Sequence, residues 1–350
     1  MKKECKQRWT AVCFVAAMCL GLAGLAGPVQ ALDRPDVRQA PEMLVPVGHT
    51  VGLKLFSEGI LVVGITELET VEGQTVVPAK AAGLKVGDLI LQCNGQDVEN
   101  TEHFQDLVRL DDDGVVDLQV RRGSRALQLT AEAVAGADGV RRLGAWVRDS
   151  LAGIGTMTFY DPASGVFGAL GHGVNDTDTN LLLTLDSGAI MPSTVKAVKP
   201  GQAGDPGELR GNFDLTMDLG ALYANTERGV FGTMAPCAMV EDLPALPVAE
   251  RSQVHKGEAE ILSNISGDCV ERYSVQLSRL DLDNGTRNMV VRVTDERLLA
   301  ATGGIVQGMS GSPILQDGRI IGAVTHVLVD DPACGYGIYI GNMLSEAFAS

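Results

Sequence analysis

Small residues crowd around one hydroxyl near the end of this 350-residue chain. The run Gly304-Ile305-Val306-Gln307-Gly308-Met309-Ser310-Gly311-Ser312-Pro313-Ile314 is followed by Gly318 and the apolar stretch Ile320-Ile321-Gly322-Ala323-Val324. A serine hydroxyl is a poor nucleophile. It reacts when a tight turn presents it, a neighbouring base takes its proton and backbone N–H groups face the oxyanion that develops. Glycines permit that close backbone approach. Ser310 is therefore the candidate nucleophile, although a Gly-Ser turn between two strands is the plainer reading of any isolated Gly-x-Ser-Gly.

The base must come from five histidines: His49, His103, His172, His255 and His326. His172 lies in Gly168-Ala169-Leu170-Gly171-His172-Gly173-Val174-Asn175-Asp176, where an apolar strand ends in a glycine-flanked turn that exposes an imidazole at a cleft edge. His326, in Val324-Thr325-His326-Val327, is the rival and reads as a packed or cleft-lining strand residue. The other three read as surface or groove residues. The third group should be a carboxylate that orients the imidazole. Asp295 follows a strand and keeps the order His, Asp, Ser, but it suits a helix N-cap equally. Asp176 would shape the turn beside His172, and Asp214 and Asp218 alternate like solvent-facing residues; spacing alone does not choose among them.

By analogy with chymotrypsin-like sites, the N–H groups of Gly308 and Ser310 form the oxyanion hole, and the strand that follows lines the substrate cleft. The Gly-x-Ser-x-Gly elbow of α/β hydrolases fits poorly, because Ser312 stands where its second glycine belongs and no βαβ alternation surrounds it.

These residues need elements to hold them, and the patterning is mainly β. From 43 to 134, short alternating strands such as Ile60–Ile65, Leu89–Cys93 and Val115–Val120 surround one helical stretch, Thr101–Leu110. From 141 to 350, many short apolar strands, frequent glycine and turn signals such as Asp161-Pro162 and Asp283-Asn284-Gly285 indicate a second, all-β domain. Aromatic residues make up only 4% of the chain, so its core must be built chiefly from Val, Leu, Ile and Ala.

Lys2, Lys3, Lys6 and Arg8 precede an uncharged stretch from Trp9 to Gly27 and a Val29-Gln30-Ala31 site suited to signal peptidase, so residues 1–31 read as an export signal or an uncleaved membrane anchor. Residues 32–42, with Pro35 and Pro41, read as an exposed linker. An excess of 44 acidic over 28 basic residues argues against nucleic acid and is compatible with a polypeptide partner. Outside the export segment the cysteines are Cys93, read as a small buried thiol, and Cys237, Cys269 and Cys334, among which an oxidising compartment allows one disulfide. No paired His or Cys ligands occur at zinc-site spacing. Serine peptidase chemistry requires no metal or organic cofactor.

Two resemblances sharpen this reading. Pro78-Ala79-Lys80-Ala81-Ala82-Gly83-Leu84-Lys85-Val86-Gly87-Asp88-Leu89-Ile90, with Asn94-Gly95, resembles the segment shared by PDZ domains of bacterial envelope proteases. Such domains add a peptide to a sheet edge beside a loop of N–H groups, and Val51-Gly52-Leu53-Lys54-Leu55 is the stretch that matches that loop. The whole body from Met43 to Ser350 resembles the stage IV sporulation protein B peptidases. That likeness rests on Arg148-Asp149-Ser150-Leu151-Ala152-Gly153-Ile154-Gly155-Thr156-Met157-Thr158-Phe159-Tyr160, on Gly168 to His172, and on Thr294-Asp295 running through Thr302-Gly303-Gly304 to Gly308-Met309-Ser310-Gly311-Ser312-Pro313-Ile314.

The resemblance implies a His172, Asp295, Ser310 triad, and so supplies the argument for Asp295. It also implies an exported, extracytoplasmic protein, placed between the membranes of a forespore if the cell sporulates. Such an enzyme processes itself and cuts a component of a membrane signalling complex. A non-catalytic PDZ scaffold and a general quality-control protease of the envelope are the competing readings. The second is disfavoured because such proteases usually carry the PDZ after the peptidase.

Overall fold

The computed structural model describes residues 40–111 and 113–349, so the segment at 1–31 and most of the linker lie outside the described residues. The chain opens with β1 (Met43–Pro46) and β2 (Thr50–Ile65), then β3 (Leu89–Cys93), α1 (Thr101–Arg109), β4 (Val115–Arg122) and β5 (Arg125–Glu132). It continues through β6 (Ala145–Tyr160), β7 (Val166–Ala169), β8 (Leu185–Lys199), β9 (Gly220–Thr226) and β10 (Gly229–Met234). The last part holds β11 (Gly257–Ser266), β12 (Cys269–Leu280), β13 (Met289–Val293), α2 (Glu296–Thr302), β14 (Pro313–Gln316), β15 (Arg319–Leu328), β16 (Asp331–Tyr339) and α3 (Ile340–Ala347).

Two rings of strands carry the site. Strands β6, β7, β10, β9, β8 and β2 pair in that order, and the pairing of β2 with β6 closes the ring around Val51, Leu53, Leu55, Met157, Phe167, Ile190 and Val230. The second is a closed barrel of β11, β12, β13, β16, β15 and β14 around Ile261, Val275, Val291, Ile314, Val324 and Ile338. Alternation places these side chains: Tyr273, Val275 and Leu277 of β12 point inward while Arg272, Ser274 and Gln276 face solvent.

The domain that resembles a PDZ has a third core of Ile60, Val62, Ile90, Phe104, Leu118 and Val120. Asn100 caps α1 by accepting from the His103 N–H, and Phe104 and Val108, four residues apart, bury one face of the helix. The expected strands Leu89–Cys93 and Val115–Val120 and the expected helix are all present.

The boundaries expected at 43–134 and 141–350 need correction. β2 is one strand that serves two domains: Thr50–Ser57 belongs to the first barrel, and Ile60 and Leu61 pair with β3 of the PDZ sheet. β6 is shared likewise, with Ala145–Arg148 beside the PDZ half of β2 and Leu151–Thr156 beside its barrel half. The PDZ core is thus inserted into the first barrel, spanning about 58 to 147, and does not precede it. Val51–Leu55 consequently cannot be the peptide-receiving loop. Leu151–Gly155 occupy one of its edges and Gly188–Pro192 the other, so no backbone groups remain for a guest strand.

Candidate active site

Ser310 sits in the loop between α2 and β14, and the first barrel holds that loop in place. The Thr156 N–H donates to the Ser310 carbonyl at 2.9 Å, the Thr156 hydroxyl to Gly308 O at 2.7 Å and the Thr158 hydroxyl to Gly311 O at 2.8 Å. The second barrel adds a bond from the Gly311 N–H to Val324 O at 2.8 Å. Sequence patterning singled out the glycines of this loop but not the two threonines, whose place opposite it depends on a pairing between barrels.

His172 comes from the first barrel. β7 runs into Leu170 and Gly171, both left-handed at φ 68° and 67°, and this turn throws the imidazole toward the second barrel. Gly171 packs so tightly there that a Cβ would lie 2.9 Å from Ile338 Cγ2 and 3.0 Å from Thr325 Cγ2. The His172 ring centroid is 4.7 Å from that of His326, with the planes tilted by 36°. Ser310, His172 and His326 line one cleft of about 650 Å³ between the barrels, so His326 is the cleft-lining strand residue its sequence suggested.

Burial pushes the His172 imidazole below the ordinary value near 6.5, although the Gly173 carbonyl opposes the shift. Desolvation first, then the neighbouring His172 and Arg287, push His326 down to about 4. Both rings are neutral at pH 7. With the Gly173 carbonyl 2.8 Å from Nδ1, neutral His172 carries its proton on Nδ1 and keeps the Nε2 lone pair for a proton acceptor's role. The Ser310 hydroxyl donates to Thr325 O at 2.5 Å, so it must leave that acceptor before His172 can take its proton. Among the described residues, nothing accepts from the N–H groups of Gly308 and Ser310, and both residues line the cleft.

Asp295 is not brought to this cleft. Its carboxylate caps α2 by accepting from the Arg297 N–H at 3.0 Å, receives the Ser274 N–H at 3.3 Å and pairs with the Arg297 guanidinium at 3.0 Å. Arg297 is the main reason its pKa falls to about 2. The helix end and the arginine consume the charge that the triad would need, and among the described residues no carboxylate contacts His172. Asp176 is fully buried and shapes its turn, receiving Thr179, Asp178 and Arg148, while Asp214 and Asp218 are exposed. Asp295→Ala should therefore cost about 1 kcal/mol of stability through the lost cap while leaving kcat/KM within about tenfold. Loss of a triad carboxylate would lower it by about 10⁴. Thermal unfolding and peptide hydrolysis on the same sample distinguish the two.

A groove that sequence reading missed lies elsewhere, in the domain that resembles a PDZ. Between Leu143–Val147 and the α1 residues Thr101, Phe104, Gln105 and Val108 runs a groove of about 580 Å³. The available signal was Arg141-Arg142-Leu143-Gly144-Ala145, a basic pair leading into an apolar residue and a left-handed glycine, φ 72°. Cys93 is buried, which pushes its thiol up to about 11, and Cys237, Cys269 and Cys334 are unpaired.

A family profile described as SpoIVB peptidase S55 matches residues 139–344, more than half of the chain, a range that includes His172, Ser310 and His326. The chain belongs to the SpoIVB peptidase S55 family. A PDZ profile matches residues 74–122 of this S55 peptidase, and no curated protein matches it. Among solved structures, the protease Anisep from Arthrobacter nicotinovorans is 12% identical over 57% of this chain and 91% of its own, with a TM-score of 0.34. The active form of the Rv3671c protease from M. tuberculosis is 14% identical over 57% and 75%, with a TM-score of 0.30. The PDZ domain of an SdrC-like protein from Listeria monocytogenes is 21% identical over 26% and 87%, with a TM-score of 0.20. The S55 chain is a serine peptidase with a PDZ domain, and its substrates are polypeptides.

Proposed function

We propose that Ser310 is the nucleophile and His172 the general base of an exported endopeptidase that makes narrow, regulated cuts. The carrying observation is that a serine, a neutral imidazole with its Nε2 lone pair free and two unengaged N–H groups meet in one cleft. As Ser310 Oγ forms its bond to the substrate carbonyl carbon, His172 Nε2 takes the hydroxyl proton and the Gly308 and Ser310 N–H groups receive the oxyanion. The C–N bond then breaks, with the leaving amine taking the proton from His172. Water, deprotonated by His172, opens the acyl-enzyme and restores Ser310. The Gly173 carbonyl supplies the tautomer control that a carboxylate gives elsewhere.

The biological setting is read from the chain's first residues and its family. The basic, then apolar N-terminus supports export, with the body outside the cytoplasm and either released or anchored at the membrane. Self-processing and cleavage of a component of a membrane signalling complex, of the kind used in sporulation, fit an S55 peptidase that carries a PDZ domain.

The test is to treat the full-length chain with a fluorophosphonate probe and map the adduct by mass spectrometry. Labelling on the peptide that contains Ser310 is expected; an unlabelled, proteolytically inert protein would favour the scaffold reading. The pH dependence follows from His172. The base must be neutral to act and burial disfavours its protonated form, so kcat/KM should fall on acidification with a midpoint below 6.5. A midpoint above 7 in a stopped-assay pH profile would exclude His172, as described, from that role.

A further inference from the structure

The groove beside α1 and the catalytic cleft lie on one strand edge. β2 covers one side of β6 from Ala145 to Thr156, and β7 takes the other side only from Met157 onward. Among the described residues, the outer edge of Ala145–Gly155 has no strand partner. An unpaired edge is a template for an added chain.

The two ends of that edge differ. At its start, Leu143 and Gly144 are buried, and among the described residues neither N–H has an acceptor. Buried N–H groups are rarely left so, and two in succession beside a left-handed glycine make a concavity for an anion. Arg109, Arg141 and Arg142 line the same groove, Arg109 paired with Asp106, Arg142 held by both oxygens of Asp138 and Arg141 donating to Asp111 O, and its walls include the apolar Phe104, Val108 and Leu143. That chemistry fits the free carboxylate and apolar last side chain of a polypeptide. At the other end, Leu151–Ile154 line the cleft with His172 and Ser310.

Polarity joins the two ends. A guest paired antiparallel to β6 with its carboxylate at Leu143–Gly144 has its preceding residues running toward Ile154, and hence toward Ser310. Side chains leave a strand on alternate faces. The contacts of Arg148 with Asp176 and Asp178, and of Asp149 with the Thr101 N–H, thus border the edge without consuming its main-chain groups.

We propose that the peptidase measures from the free C-terminus of its substrate: the groove holds the terminal residues, and the bond cut lies about ten residues upstream, one guest residue per residue of β6 from Ala145 to Ile154. This rests on Ser310 being the nucleophile. The substrates are polypeptides with an accessible, apolar C-terminus, and the released fragment is their tail.

The experiment uses full-length protein and long synthetic peptides of one sequence, ending as acid or amide, or extended at the C-terminus by five residues. The expected result is a cut that shifts by the added length and a fall of at least tenfold in kcat/KM on amidation. In a Trp9→Phe, Ser310→Ala chain, Trp146 on the groove wall is the one tryptophan, and its fluorescence should respond to the acid and not to the amide. Cleavage at a fixed sequence, indifferent to amidation, in protein whose Ser310 is labelled by fluorophosphonate would overturn the proposal alone. Absence of both labelling and cleavage would overturn it together with the assignment of Ser310.

Discussion

Ser310→Ala is expected to lower kcat/KM by roughly 10⁵-fold or more and to abolish fluorophosphonate labelling, with the fold intact. The change removes one oxygen, at a half-buried position, whose single hydrogen bond among the described residues is to the Thr325 carbonyl, so the cost to stability is small. The main-chain bonds that hold the loop, from Thr156 to Ser310 O and from Gly311 to Val324 O, do not involve the hydroxyl. Thermal unfolding within a few degrees of wild type, alongside lost hydrolysis, is the expected pair of results. Residual activity above about a hundredth of wild type would show that another group performs the attack.

Gly311→Ala is expected to damage the same site without touching a reacting atom. Gly311 has φ 99°, and a Cβ there would stand 1.9 Å from Thr156 O and 2.6 Å from the Leu170 nitrogen, both main-chain atoms. Backbone cannot swing aside as a side chain does. The loop must therefore move by an ångström or more, taking Ser310 and its oxyanion donors out of line with His172. Displacements of that size cost about 10²-fold in rate. Overpacking and a left-handed backbone forced on alanine should together remove about 3 kcal/mol of stability. Labelling at the wild-type rate would mean that the threonine clamp from β6 does not position the nucleophile.

The elements of this protein were easier to read than their partners. Period-two alternation and turn residues located the strands, and the glycine-rich surroundings of Ser310 and His172 marked a place where backbone must approach closely. Pairing is set by contacts far apart in sequence. Val51-Gly52-Leu53-Lys54-Leu55 has the same alternation in a barrel wall as at a PDZ edge, and only the neighbouring β6 and β8 decide between them. Asp295 shows the same limit for a side chain: an aspartate before Glu296 and Arg297 satisfies a helix cap and a triad position equally well on paper, and Arg297 settles it in space. The Thr156 and Thr158 hydroxyls carried no local signal, because the loop they clamp lies about 150 residues away.

Since β2 and β6 run through both the PDZ and the first barrel, the PDZ stands where a hairpin turn would be. Closing an antiparallel pair across an unstructured connection costs entropy that grows with its length, and roughly 80 residues separate Ile65 from Ala145. A folded insert already holds those two residues opposite each other, and the rest of the β2–β6 ladder can zip from that end. The PDZ domain is in this sense also a folding template for the peptidase. A substitution that loosens its core, far from Ser310, would be felt first as a failure of the barrel to close.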